Sequence, residues 1–167
     1  MRLRDIVLAE KQNVKWTQWK NGKMPKSAFP LNKNRSFRIR GKWRWCLCTF
    51  LCLGHSMRVL VAYRSDIEEY LAMLGIDLPD SNTRVLARFE FHGSHPPWHV
   101  HSFCEDVSSF LPRNDGRSGY PDMQRIPGGN ASIGNNSFHI HFDRSATDLA
   151  TRKFGLGNIT TDAGLFQ

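Results

Sequence analysis

The placement of the histidines limits this chain more than any other feature. Six of its seven fall in two short segments, RFEFHGSHPPWHVHSFCE over 88–105 and FHIHFD over 138–143. His92, His95, His99 and His101 lie in the first, His139 and His141 in the second. Side chains two apart on a strand share a face, with Cα atoms about 7 Å apart. If both segments are strands, His99 and His101 form one pair, His139 and His141 another, and the two pairs are expected to converge on one site. The preceding VLARFEFH alternates, with Val85, Ala87, Phe89 and Phe91 expected on a core face and Arg88, Glu90 and His92 on the face of the imidazoles.

A chain of 167 residues, 40% apolar, has enough material for a single real core. Its net charge of +8 is regional: residues 1–44 carry 13 Lys and Arg against Asp5 and Glu10, the rest 10 against 13. We therefore divide the chain into a basic aromatic N-terminal arm over 1–35, one α+β domain over 36–160 and a tail over 161–167. In the arm, Trp16 and Trp19 lie among Lys15, Lys20, Lys23, Lys26 and Lys33, with Arg38 and Arg40 just beyond. Rings between cations suit base stacking with phosphate neutralisation, which makes nucleic acid, RNA above all, the expected partner. A protein partner or inhibitor is compatible with the same surface, and oligomeric state is not legible.

The opening MRLRDIVLAEK breaks its apolar run with Asp5 and Glu10, unlike a targeting peptide, and the run Trp43–Gly54 is well under the roughly 20 residues that span a bilayer. A cytoplasmic protein without membrane contact is expected. Cys46, Cys48 and Cys52 share one strand face and read as reduced, buried thiols.

Along the chain, a short helix is expected around Leu3–Ala9, then strands SFRIRGKW, WRWCLCTFLCL and MRVLVAY, consecutive and antiparallel. Ser65-Asp66-Ile67-Glu68 looks like a capping box, and Ile67, Tyr70, Leu71 and Leu74 fall at helical spacing, so a helix ending at Gly75 is expected. After the strand bearing Arg88, Glu90 and His92 and the corner at Pro96-Pro97 come WHVHSF, a long Pro- and Gly-rich loop over 112–137, the strand FHIHF, and a helix SATDLATRKFG capped by Ser145. The fold class expected is α+β, a curved, mainly antiparallel sheet of about five or six strands with one or two packed helices.

Two chemistries use these residues. In the first, a small RNase cuts phosphodiesters without metal: His99, His101, His139 and His141 supply acid and base, Arg88 holds the phosphate and Glu90 orients an imidazole. Size, basicity and site type suit a toxin or antiviral-defence effector. In the second, His99, His101 and one of His139 or His141 hold a divalent metal such as Zn²⁺ and leave a position for water, with Glu90 or Glu105 as ligand or base. The spacing Gly93-x5-His99-x-His101-x3-Glu105 resembles the first metal motif of the cupin family. That resemblance covers 13 residues and implies His99, His101 and Glu105 as ligands in a double-stranded β barrel. Pro112 stands where the family has a glycine, and Ser132 where its second motif has a histidine. The set Arg88, Glu90, His95, Pro96, His99 and His101 is also similar to small bacterial toxins that join an Arg-x-acid strand to a His-Pro corner and a His-x-His. A third possibility is a binding module for nucleic acid or protein with no catalysis.

Overall fold

The computed structural model describes residues 1–31, 39–93, 98–110, 124–125 and 137–157, with backbone alone at 109, 110, 124 and 125. In chain order the elements are α1 (Leu3–Leu8), β1 (Gln12–Trp16), β2 (Lys20–Asn21), β3 (Arg44–Cys52), β4 (His55–Arg64), β5 (Glu69–Asp77), β6 (Thr83–His92), β7 (His99–Ser102), a 3-10 turn at Val107–Phe110, β8 (Gln124–Arg125) and α2 (Asp143–Phe154). Every pairing is antiparallel and the sheet runs β1-β3-β4-β5-β6-β7-β8, with β2 beside β1 on the edge of β3. The α+β class and the mainly antiparallel sheet stand as expected. The sheet is open, so the closed barrel implied by the cupin spacing is not formed.

The register defines two faces. Cys46, Val61, Ala72, Phe89 and Val100 lie side by side on one; Trp45, Ala62, Leu71, Glu90 and His99 lie side by side on the other. The first face is covered by the helices. Ile6 of α1 and Ala146, Leu149, Ala150 and Phe154 of α2 enter a core with Trp98 and the β3–β6 side chains. Asp143 fixes the start of α2 to the sheet: its carboxylate accepts from Arg44 Nε at 2.7 Å and from the Tyr63 hydroxyl at 2.8 Å. At the far end Gly155 is left-handed, which glycine adopts without steric cost, and a side chain there would collide with the Val7 carbonyl of α1.

The second face carries a smaller apolar layer. Phe29 and Ile39 cover Trp45, Leu47, Leu60, Ala62, Leu71, Met73 and Val85, with Met24, Ala28, Leu31 and Trp43 at the margin. Much of the basic arm is thus laid on the sheet, since β1 and β2 pair with β3 and Phe29 is 2% exposed.

Several local expectations are corrected. The helix from Asp66 to Leu74 is a turn followed by β5, in which Tyr70, Ala72, Leu74 and Ile76 alternate onto the helix-side core while Leu71 and Met73 face the other way. A strand buried on both faces is a continuous apolar run, and such a run matches helical spacing as well as strand spacing. Gly75 ends no helix; it lies under Phe29, and an added Cβ would stand 3.1 Å from the Phe29 ring and 2.4 Å from Thr83 Cγ2. Beside it a bulge pairs Leu74 with Ala87 but Gly75 with Val85, so Val85 leaves the face shared by Ala87, Phe89 and Phe91. Of SFRIRGKW, residues 36–38 lie outside the described set, and 39–43 form no strand but turn at Gly41. FHIHF is no strand either: Phe138 and Ile140 are buried and His139 and His141 exposed, but no ladder partner is present among the described residues. Ser145 is not the cap of α2 but the third helical residue, and its hydroxyl exchanges hydrogen bonds with the Phe142 backbone. All four cysteines are free; Cys46, Cys48 and Cys52 are buried and Cys104 exposed. Among the described residues no helix is long and apolar enough to cross a membrane.

Candidate metal centre

The site is a product of register between two strands. In β6, Arg88, Glu90 and His92 share the face opposite Phe89 and Phe91. In β7, His101 stands directly across from Arg88 and His99 directly across from Glu90. Side chains opposed on an antiparallel pair have Cβ atoms roughly 5 Å apart, close enough for three ring or guanidinium tips to meet one carboxylate.

Glu90 is where they meet. Its Oε1 lies 2.6 Å from Arg88 Nη2, 3.0 Å from His99 Nε2 and 3.4 Å from His101 Nε2, and its Oε2 lies 3.5 Å from His92 Nε2. The side chains form a shallow bowl: Glu90 is 5% exposed, His99 12%, His101 26%, Arg88 29% and His92 42%. Burial alone would lift the Glu90 carboxyl; the His92 hydrogen bond and the Arg88 guanidinium override it and hold the group at about 2. The same hydrogen bond raises His92 above the usual imidazole range. Glu90 is therefore a carboxylate at any physiological pH.

One ligand atom each from Glu90, His99 and His101 lie within 4.8 Å of one another. A tetrahedral ion with bonds of about 2.0–2.1 Å needs its ligand atoms about 3.3 Å apart, and the two distances to Glu90 Oε1 bracket that spacing. Two imidazoles and a carboxylate suit Zn²⁺ and its first-row neighbours. These residues can hold a metal ion.

The other expected site residues are distributed differently. The exposed His139 ring lies 5.5 Å from that of Trp98, a residue of the helix-side core, and its Nδ1 is 3.2 Å from the Ser137 carbonyl; the His141 ring is 5.8 Å from that of Phe138. Neither joins the Glu90 group, because the chain returns to the aromatic side of the sheet before entering α2. Convergence of the two His-x-His pairs is not formed. Glu105 is exposed beyond the end of β7 and outside the group, so the acidic member is Glu90. His95 and Lys33 and Arg38 lie outside the described residues. Trp16 pairs across from Cys48 and is half-buried against the helix-side core, and Trp19 packs edge-on against Tyr63 at 5.4 Å, so neither ring offers a free stacking face on the Glu90 side. Lys15, Lys20, Lys23, Lys26 and Arg40 are exposed.

His92 is the neighbour that reasoning from the sequence left out of the site. Alternation placed it on the right face, and its signal was its position two residues after Glu90. The chain matches no family model, no curated protein and no solved structure, so its reading rests on this geometry alone.

Proposed function

We propose that Glu90, His99 and His101 form a divalent first-row metal centre, Zn²⁺ in type, that serves hydrolysis of an anionic ester. The observation that carries this reading is the mutual approach of the three ligand atoms within 4.8 Å on two paired strands. Such an ion lowers the pKa of bound water and polarises an ester oxygen. The protein's own part is to fix the two imidazoles through register, to keep Glu90 charged, and to set Arg88 beside the centre, where a guanidinium can bind an oxyanion. In the overall reaction water adds to the ester centre, the bond to the leaving oxygen breaks, and that oxygen takes up a proton.

The metal-free RNase scheme needs an acid and a base on two sides of a phosphate. His99 and His101 both turn Nε2 toward the same carboxylate oxygen, an arrangement that suits ligands better than opposed acid and base. The two schemes separate in one experiment on untagged protein. Zn²⁺ is expected to bind one per chain by calorimetry, and hydrolysis of an RNA oligonucleotide and of bis-p-nitrophenyl phosphate to stop in excess chelator and return with Zn²⁺. Hydrolysis undiminished in chelator, or no stoichiometric binding of any first-row ion, defeats the metal reading.

A further inference from the structure

The face that holds Glu90 also holds a group of uncompensated positive charges. Lys15 and Lys20 are on β1 and β2, paired across from Thr49 and Trp45 of β3, and Lys20 Nζ sits 5.3 Å from the Trp45 ring centre on that face. Lys23 and Lys26 flank Met24 and precede Phe29 in the segment packed on the same side; Arg40 follows the buried Ile39, whose carbonyl accepts from Met24 N–H at 3.1 Å. All five are exposed, and none has an ion-pair partner among the described residues. Among the described side chains, Arg58 of this face is paired with Asp77, Arg64 and Lys42 with Asp66, and Arg88 with Glu90. Lys15 and Lys20 stand at the β1–β2 edge of the face, Lys23, Lys26 and Arg40 in the segments laid on it, and the carboxylate–imidazole cluster on β6 and β7. From β2 to β6 the face spans four interstrand steps, about 19 Å.

We propose that this face is a track for single-stranded nucleic acid, which crosses from Lys23, Lys26 and Arg40 to the Glu90 centre; its end point rests on the metal-centre reading. Polyanion chemistry follows from the charge: exposed cations without carboxylate partners gain from phosphates by releasing counterions. The strand number follows from the bowl. Glu90 and His99 are its least exposed members, and a flexible single strand can bend one phosphate down to them while its neighbours stay on the lysines. A rigid duplex keeps its phosphates on its own cylinder and meets the rim alone.

The test uses the full chain in chelator, so that binding is measured apart from the metal, with a fluorescent 15-nucleotide oligouridylate and a 15-base-pair duplex as probes. Replacing Lys23, Lys26 and Arg40 together by Gln is expected to weaken oligouridylate binding at least ten-fold. It should also lower the magnitude of the salt slope by about 2, at roughly 0.7 for each phosphate no longer neutralised. A control, Arg144→Gln with Arg152→Gln on α2 across the sheet, is expected to change binding less than three-fold. Thermal midpoints of both variants are compared with the parent, so that loss of fold is recognised. The track is overturned if the Lys23/Lys26/Arg40 variant keeps the parent's affinity and salt slope, if the α2 control weakens binding as much, or if the duplex binds as tightly as the single strand. Zn²⁺ calorimetry on the same variants reads the centre independently: intact metal binding with unchanged oligonucleotide affinity sinks the track and spares the centre, and the reverse pattern spares the track.

Discussion

The two His-x-His segments have nearly the same local sequence pattern and opposite fates. Around His99 and His101 the chain is the strand β7, hydrogen-bonded to β6 so that each imidazole faces an Arg or Glu. Around His139 and His141 the chain forms no ladder among the described residues, and its apolar members, Phe138 and Ile140, decide its position by entering the aromatic core. Alternation states which side chains travel together. The neighbouring strand determines what they meet, and only the first segment has one among the described residues.

Trp98 is the residue that separates the two. It is fully buried, stacks on Phe89 at 5.1 Å, and lies against Tyr70, Phe91, Phe138 and His139. Its Nε1 donates to the Ser137 carbonyl, tying the second segment to the residue that precedes the first pair. Trp98→Ala is expected to cost about 4 kcal/mol in urea unfolding, the largest effect predicted for a single change. A loss under about 1 kcal/mol would mean that the aromatic layer does not hold the second segment.

The Glu90 group should give the first segment a pH signature of its own. Glu90 is held at about 2 against an ordinary 4.5, so its contribution is fully present above pH 4.5 and lost as pH falls toward 2. His92 works in the other sense: its pKa is raised, so its contribution is present below the ordinary 6.5 and lost as pH rises through the folded value. The pair therefore stabilises most between about pH 4.5 and 6.5. For Glu90 the shift corresponds to about 3 kcal/mol as an upper figure. Urea midpoints of metal-free protein from pH 6 to pH 2.5 should fall steeply, and less steeply in Glu90→Gln. Parallel curves for the two proteins would show that other groups govern the acid limb; Asp143, itself depressed by Arg44 and Tyr63 against its burial, is the one to examine by Asp143→Asn.

Metal affinity should distinguish the segments directly. His99→Ala and His101→Ala are each expected to lower Zn²⁺ affinity at least about 100-fold, or about 2.7 kcal/mol, beyond what removal of an outer-sphere partner does. His92→Gln, which leaves all three ligands but takes away the partner of Glu90 Oε2, should lower it about ten-fold. Equal effects of His92→Gln and His99→Ala would place His92 among the ligands.

Much of this was legible in the residues. Strict alternation in VLARFEFH set Arg88, Glu90 and His92 together, and the choice of His99 and His101 followed from a period of two. What misled was physical. YLAMLGI is apolar on both faces, and a doubly buried strand erases the alternation that would identify it. Glu90 and Glu105 both offer an acidic ligand in the sequence, and the antiparallel pair selects Glu90, nine positions before His99. Register between strands is a long-range property, and the bulge that moves Val85 off the face of Ala87 shows how one extra residue resets it.

The smallest expected effect is the most pointed. His139→Ala and His141→Ala remove exposed rings whose contacts are with Trp98 and Phe138, and exposed substitutions of this kind change stability by about 0.5 kcal/mol or less. They should leave Zn²⁺ affinity, oligonucleotide binding and turnover within two-fold of the parent. The double variant His139→Ala/His141→Ala carries the whole comparison, since it deletes one His-x-His and keeps the other. If it lost turnover while retaining metal and fold, the second segment would act on substrate at the first, and separation of the two by the sheet would not be the organising fact of this molecule.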